Sequence, residues 1–193
     1  MNENIKLALN ILTDTFKNGG KLLVCGNGGS ASDSEHIVGE LMKGFLLKRK
    51  ISDTNRKKII DNSPKYGEFI SEHLQGALPA ISLVSHTSLI SAFANDIEPS
   101  MIFAQQVFGY GKHGDAFLGL STSGNSKNIV YAAETANAIG LKTIAMTGQS
   151  GGLLKDICDC SICVPSESTP EIQELHLPIY HYICAELESR FFV

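Results

Sequence analysis

The sequence predicts an α/β protein in which a five-stranded parallel sheet lies between two layers of helices. Five short apolar runs alternate along the chain with longer, mostly helical segments. Strands that alternate with helices favour a parallel sheet covered on both faces. In the first run, KLLVCG, every residue after Lys21 is apolar or glycine, which is typical of a strand buried on both faces. We therefore expect a three-layer αβα sandwich.

The predicted elements follow one another in a regular order. Residues 2–18 carry apolar side chains at helical spacing and predict an extra N-terminal helix before the alternating pattern. The strands are predicted over residues 21–26, 78–85, 115–122, 141–148 and 161–166. Further helices are predicted over residues 31–45, 125–139 and 172–191.

Residues 46–76 interrupt this order. The segment is polar and basic in its first half and stands where a short connection would be enough. We expect one or two helical turns in it, broken by Pro64 and Gly67. The chain is interpreted as a single domain, residues 1–193, with an inserted segment at about 46–76.

Composition narrows the functional classes. The chain has 193 residues and a formal net charge of −4, which gives no general reason to expect binding to nucleic acid or to anionic membranes. The apolar runs are far shorter than a membrane span, and the N-terminus does not have the pattern of a signal peptide. We expect a cytoplasmic protein with neither nucleic acid nor membrane as a partner.

The five cysteines are expected to be structural thiols. Cys158, Cys160 and Cys163 have a C-x-C-x-x-C spacing that could bind a metal ion. They lie in a short β-like run without a fourth thiolate nearby, and a buried free cysteine behaves as a small hydrophobic residue.

A serine-rich loop closes the third predicted strand and opens a helix. The six residues STSGNS, at positions 121–126, include four hydroxyl side chains, whereas a helix cap needs only one. Gly124 lets backbone N–H groups approach a ligand, and the helix N-terminus adds unpaired donors and a positive dipole end. The loop therefore predicts a phosphate-monoester site formed by Ser121, Thr122, Ser123 and Ser126.

A second glycine-rich loop, GNGGSA at residues 26–31, follows the first strand. It fits the weak dinucleotide pattern G-x-G-x-x-A. A dinucleotide fold also expects an acidic residue after the second strand, where this chain has Ser85 and His86. Two Ser/Gly loops at strand ends fit a sugar phosphate better.

Two predicted helices carry metal-ligating or acid–base residue types. His36 and Glu40 are four residues apart and share a helix face, so they could bind one divalent metal ion or form an ordinary surface contact. The last helix carries Gln173, Glu174, His176 and His181, and a histidine in an apolar helix is usually a hydrogen-bonded core residue. From the residues alone, both interpretations stay open for each helix.

Five motifs occur in a specific order and spacing. They are CGNGGSASDSEHIVGE, ISLVSHTSLISAFANDIEP, GLSTSGNSKNIV, MTGQSGG and VPSESTPEIQELHLPIYH. Together they resemble the sugar isomerase (SIS) fold and, more narrowly, the phosphoheptose isomerases, over nearly the whole chain except residues 46–76. The resemblance implies a homotetramer with active sites at subunit interfaces and one zinc ion per subunit. It also implies isomerisation of sedoheptulose 7-phosphate to glycero-manno-heptose 7-phosphate through an enediol.

The resemblance also assigns roles to individual positions. It implies that Glu40 and His181 form the proton-transfer pair, whereas the role of His176 stays open. It implies zinc ligands at His36, Glu40, Gln173 and His181. It implies substrate binding by Asn27, Gly28, Gly29, Ser30, Asp96, Ser121, Thr122, Ser123, Ser126 and Gln173.

Some features depart from the family pattern. Lys43 and Gly44 stand where relatives often have an arginine, and Pro170 and Glu171 stand where a basic residue is common. A basic cluster in the inserted segment could reach a phosphate and replace the missing arginine, and the segment is expected to border the active-site mouth or a subunit contact. The cluster consists of Lys48, Arg49, Lys50, Arg56, Lys57 and Lys58.

The geometry of the last helix raises a separate question. Gln173 and His181 are about 12 Å apart along an ideal helix axis, at roughly 1.5 Å per residue. For both to reach one metal ion, the side chains must lean together, the helix must kink at Pro178, or ligands must come from two subunits.

The sequence also leaves two other functions open. Some SIS proteins that resemble this subgroup bind the bacterial replication initiator without a known isomerase role. Others sense sugar phosphates as regulators, usually with a helix-turn-helix domain, for which this chain has no room. The His36, Glu40, Gln173 and His181 set weighs against a binding module.

Overall fold

A single five-stranded sheet forms the centre of the computed structural model, which describes residues 3–193. All neighbouring strands are parallel, in the order β2-β1-β3-β4-β5. The strands are β1 (Leu22–Gly26), β2 (Ala80–Ser82), β3 (Ala116–Leu120), β4 (Lys142–Thr147) and β5 (Cys160–Cys163). The predicted five-stranded parallel sheet is therefore confirmed, with a second strand much shorter than residues 78–85.

Helices cover both faces of this sheet. They are α1 (Glu3–Lys17), α2 (Gly29–Met42), α3 (Asp53–Asn62), α4 (Gly67–His73), α5 (Thr87–Asp96), α6 (Ile102–Tyr110), α7 (Lys127–Ala138), α8 (Gly152–Ile157) and α9 (Thr169–Phe192). A short 3-10 helix, Pro99–Met101, precedes α6. Residue 2, where the first helix was predicted to begin, lies outside the described residues.

The sheet separates two apolar clusters. Leu22 and Val24 of β1 belong to one cluster, and Leu23 and Cys25 belong to the other, as the two-residue period of a strand requires. Helices α1, α2 and α9 cover the first face, and α6 and α7 cover the second. The predicted three-layer αβα arrangement is confirmed, and the helix over residues 3–17 belongs to the first layer.

The inserted segment contains more helix than predicted. One or two helical turns were expected, whereas α3 and α4 span ten and seven residues and pack together. The hydroxyl of Ser52 caps α3 by accepting a hydrogen bond from the N–H of Asn55. No residue of α3 is buried, and its apolar residues Ile59 and Ile60, next to α4, are only partly covered. Hydrophobic periodicity therefore gave no signal for its length.

Arg49 corrects one part of the basic-cluster hypothesis. Its side chain is closed to solvent and pairs with Glu188, with Nε 2.7 Å from Oε1. The guanidinium also donates to the carbonyl oxygens of Leu41 and Glu40. Arg49 is therefore a core residue that fixes the end of α2, and it cannot also bind a phosphate.

The cysteines are free thiols in this structure. Burial raises the pKa of Cys158 to about 12 and that of Cys160 to about 11, so both thiols stay protonated at neutral pH. Among residues 3–193, no helix is long and apolar enough to cross a membrane.

Candidate active site

The Gly28–Ser30 and Ser121–Ser126 loops meet the start of α9 at the carboxyl ends of β1 and β3. Together they enclose a cleft of about 340 Å³, at the edge of the sheet where α/β proteins usually bind ligands. The lining residues are Asn27, Gly28, Gly29, Ser30, Leu120, Ser121, Thr122, Ser126, Thr169 and Gln173.

Two helix N-termini open at this cleft. Helix α2 begins at Gly29 and α7 at Lys127, and neither has a side-chain cap. Gly28 precedes α2 with φ of 55°, a conformation that favours glycine. A Cβ on Gly124 would collide with the carbonyl of Gly151, so glycine is required there as well. Two helix dipoles and their first N–H groups make the cleft suited to an anion.

The four hydroxyls of the serine loop, which were predicted to bind a phosphate together, differ in position. The Oγ atoms of Ser121 and Ser126 are 3.0 Å apart within the cleft. Ser123 is exposed, and its hydroxyl accepts a hydrogen bond from the N–H of Asn125. Phosphate binding by Ser123 therefore stays a prediction that its present hydrogen bond does not favour.

A second cluster of polar side chains lies further along α2 and α9. His36 Nε2 is 3.2 Å from Glu40 Oε1 and 3.5 Å from His181 Nε2. Lys43 Nζ is 3.3 Å from the other oxygen of Glu40. A carboxylate and two imidazoles within contact distance can exchange protons with a bound substrate.

Tyr180 connects this cluster to a carboxylate that the sequence analysis missed. Its hydroxyl lies 3.0 Å from His36 Nδ1 and donates to Asp33 Oδ1 at 3.1 Å. The pKa of Asp33 is raised overall by burial. The hydrogen bond from Tyr180 and the nearby His176 and His36 lower this pKa by less. Burial and the Asp33 charge also raise the pKa of Tyr180, which keeps its proton at neutral pH.

The cleft and the cluster are held by the same two helices. Gln173 lies against Gly29, since a Cβ on Gly29 would be 2.6 Å from the Gln173 amide. Seven residues further along α2, His36 meets His181 of α9. The helices therefore run in the same direction, and the two sites are separated by about 10 Å at roughly 1.5 Å per residue.

Other predicted residues lie elsewhere. Asp96 is exposed at the end of α5, where it accepts a hydrogen bond from Asn95, and it does not line the cleft in this chain. His176 is fully buried and hydrogen-bonded to the carbonyl of Thr147, and burial lowers its pKa. His176 is therefore buried in this chain, which favours the packing role over a helper role.

Sequence reasoning missed several residues of the site. Asn128 exchanges two hydrogen bonds with Asn27 across the loops, and Thr169 lines the cleft. Asp33 shares a helix face with His36 at a spacing of three residues, a signal that could have been used. Asn128 and Thr169 had no comparable signal, because their role depends on the packing of distant segments.

The implied zinc site is only partly assembled. Tetrahedral zinc with bonds of about 2.0–2.1 Å separates its ligand atoms by roughly 3.4 Å. The contacts of His36 with Glu40 and His181, at 3.2 and 3.5 Å, fit that spacing. Gln173 instead lines the cleft between the loops, and among residues 3–193 no three His, Cys, Asp or Glu side chains are close enough together to hold a metal ion.

A family model of known proteins identifies the class of protein to which this chain belongs. Residues 1–55 and 64–148 match the family model described as SIS domain. This is more than half of the chain, so the protein is a SIS-domain protein.

The relatives narrow this class. A phosphoheptose isomerase of Helicobacter pylori (strain P12) is 38% identical over 191 residues, which cover 99% of this chain and 86% of the relative. One of Clostridium acetobutylicum is 40% identical over 190 residues, with 98% and 84% covered. The solved phosphoheptose isomerase of Francisella tularensis has a TM-score of 0.79 at 33% identity, over 97% of this chain and 86% of that one. The chain therefore belongs to the phosphoheptose isomerase family.

Proposed function

We propose that the protein is an aldose–ketose isomerase that converts sedoheptulose 7-phosphate into glycero-manno-heptose 7-phosphate. One observation carries the proposal. An anion-binding cleft and an acid–base cluster lie about 10 Å apart on two helices that run in the same direction, at roughly 1.5 Å per residue. This separation is comparable to the length of an extended seven-carbon sugar phosphate, so the phosphate and the reacting carbons can occupy both sites at once.

The cleft accounts for binding of the phosphate. Its oxygens would accept hydrogen bonds from the N-termini of α2 and α7 and from the hydroxyls of Ser30, Ser121, Thr122 and Ser126. The residues that line the cleft include no lysine or arginine. Gln173, which lines the cleft from α9, would contact the sugar next to the phosphate.

The acid–base cluster accounts for the reaction. One member of the Glu40 and His181 pair removes a proton from C1 of the ketose, giving an enediol in which C1 and C2 share the double bond. The other member returns a proton to C2, and the C1 hydroxyl proton is lost as the aldehyde forms while the C2 oxygen gains one. Substrate and product are isomers, so no nucleotide cofactor is needed.

We also propose a zinc ion in this cluster, held by His36, Glu40 and His181, with Gln173 as the fourth ligand that the family resemblance implies. When bound, the ion would polarise the carbonyl oxygen of the substrate. Elemental analysis of protein purified without chelator tests this part separately. Loss of zinc from a His36→Ala variant would support these ligands, whereas full zinc in that variant would contradict them.

A homotetramer in the cytoplasm is the proposed working form. Helix α5 has the apolar sequence LISAFA but no buried residue, and Ile97 and Phe108 are 69% and 66% exposed. Exposed apolar side chains concentrated in one region favour a contact between copies of the chain. Light scattering at several concentrations measures the mass directly.

The activity is tested with purified protein and a panel of ketose phosphates, with and without added zinc. We expect an aldose phosphate from sedoheptulose 7-phosphate and, in deuterated water, incorporation of deuterium at C2. Shorter ketose phosphates should react more slowly, because they cannot reach both sites. Absence of turnover and of exchange with every substrate would contradict the proposal and favour a binding role.

A further inference from the structure

A chain of polar side chains runs from Asp33 through Tyr180 to His36. Asp33 and His36 are on the same face of α2, and Tyr180 reaches them from α9. The Tyr180 hydroxyl lies 3.1 Å from Asp33 Oδ1 and 3.0 Å from His36 Nδ1. The tyrosine ring is buried at 1% exposure and packs edge-on against the His36 ring, so the hydroxyl is held in this place.

The order of donors and acceptors along this chain determines where the protons lie. An ionised carboxylate only accepts hydrogen bonds, and a phenol hydroxyl has a single proton to donate. The Tyr180 proton is therefore directed to Asp33 Oδ1. The phenol oxygen is left as an acceptor, and the atom facing it, His36 Nδ1, must carry a hydrogen.

We propose that Tyr180, oriented by Asp33, is a positioning residue that keeps the proton of neutral His36 on Nδ1. The other ring nitrogen, Nε2, then presents its lone pair to the Glu40 and His181 side of the cluster. There it can gain a proton or bind a metal ion. The inference rests on the proposed function only for its kinetic consequence, since the tautomer can be measured without substrate.

The neutral His36 ring has two tautomers, with the proton on Nδ1 or on Nε2, and its surroundings determine which of them is populated. In the alternative tautomer the proton would be on Nε2, 3.2 Å from the Glu40 carboxylate, which attracts it. Without a fixed acceptor at Nδ1, that attraction would place the proton on Nε2 and occupy the lone pair. The hydrogen bond to Tyr180 opposes this, in the way that outer hydrogen bonds fix the tautomer of metal-bound histidines.

The tautomer is tested by long-range ¹H–¹⁵N spectra of ¹⁵N-labelled protein, stripped of metal, at a pH where the histidines are neutral. A His36→Gln variant identifies the His36 signals among those of the six histidines. We expect the Nδ1–H pattern in the wild type. Tyr180→Phe should shift the equilibrium to Nε2–H, because only the hydroxyl is removed.

Two variants separate positioning from general structural damage. Asp33→Leu removes the acceptor, so the Tyr180 hydroxyl is free to donate to His36 Nδ1, and we expect Nε2–H. Tyr131→Phe is the matched control, since Tyr131 is exposed on α7, and it should retain the wild-type pattern. An Nε2–H wild type, or Nδ1–H in both Tyr180→Phe and Asp33→Leu, would overturn the proposal.

Turnover gives an independent readout. Tyr180→Phe should lower kcat about 10–100-fold, the usual effect of losing an outer hydrogen bond. KM should change little, because the phosphate cleft is at the other end of the helices. Unchanged kcat in an active enzyme would overturn the kinetic role. If the wild type has no isomerase activity, the proposed function fails while the tautomer measurement still decides the inference.

Discussion

Arg49 and Glu188 form an ion pair that is closed to solvent, with Nε 2.7 Å from Oε1. The carboxylate also accepts hydrogen bonds from the N–H groups of Phe45, Leu46 and Leu47. The pair therefore joins the start of the inserted segment to α9. Because Arg49 also donates to the carbonyl of Glu40, it fixes the part of α2 that carries a candidate catalytic carboxylate.

Arg49→Met should destabilise the protein strongly. The substitution leaves the Glu188 carboxylate buried without its counter-charge, which typically costs about 3–5 kcal/mol of unfolding free energy. Arg56→Met is the matched control, because Arg56 pairs with Glu68 on the surface, where such pairs contribute about 0–1 kcal/mol. Equal losses for the two variants in urea unfolding would show that burial of the Arg49 pair has no special role.

The same pair predicts a pH dependence of stability. Burial alone would raise the pKa of Glu188, but hydrogen bonds from Phe45 and Arg49 outweigh it and the pKa is lowered. A lowered folded-state pKa stabilises the fold above the unfolded value of about 4.3, and this stability is lost as the pH falls through the folded value. Glu188→Gln should therefore flatten acid unfolding below about pH 4, and an unchanged acid slope would contradict the assignment.

Glu40→Gln should separate proton transfer from simple binding. Glutamine keeps the size and an oxygen but cannot take a proton, so loss of a general base should cost about 10²–10⁴ in rate. The measurement is exchange of the substrate α-hydrogen with deuterated solvent at several zinc concentrations. Partial recovery with excess zinc would identify Glu40 as a ligand only, and exchange at the wild-type rate would leave His181 as the base.

The serine loop predicts a graded response to alanine substitution. Ser126→Ala removes a hydroxyl from the cleft, and a hydrogen bond to a charged phosphate is worth about 1.5–3 kcal/mol. KM should rise more than kcat falls. Ser123→Ala is the comparison, because that hydroxyl already bonds the N–H of Asn125 and should matter less. Calorimetry with the sugar phosphate measures the binding affinity of each variant. A larger loss of affinity for Ser123→Ala than for Ser126→Ala would reverse the assignment made from this structure.

The inserted segment is predicted to contribute to contacts between subunits. Tyr66, just before α4, is 56% exposed, and Phe69, within α4, is 66% exposed. Such exposed aromatic side chains favour a surface that is covered by another subunit. Replacing residues 53–73 by a short Gly/Ser linker keeps Arg49 and the bridge between Lys50 and Gln75. We expect a lower oligomer mass by light scattering, with the core fold retained.

The control for this deletion is a pair of substitutions on the same segment. Phe69→Ser should reproduce part of the loss of assembly, whereas Lys57→Ala, which removes a surface ion pair with Asp61, should not. Unchanged mass and unchanged KM in the deletion variant would mean that the segment neither joins subunits nor borders the active site.

The sequence by itself determined the layered α/β fold and the two Gly/Ser loops that line the cleft. Apolar runs such as LLVCG are long enough to identify buried strands without knowledge of their neighbours. Glycine and serine after a strand have a local meaning, because conformational freedom and helix-terminal donors are properties of a few adjacent residues. The same holds for His36 and Glu40, whose shared face follows from helix periodicity.

Only the tertiary structure decided how these pieces act together. It brought Tyr180 to His36 and Asp33, and it directed Arg49 to the core instead of to a phosphate. It also placed Gln173 at the cleft, away from His181. These outcomes depend on which faces of α2 and α9 pack together, and that contact joins residues more than 130 positions apart. Local propensity and periodicity have no information at that separation, because the energy that fixes it comes from burying the two helices against one sheet.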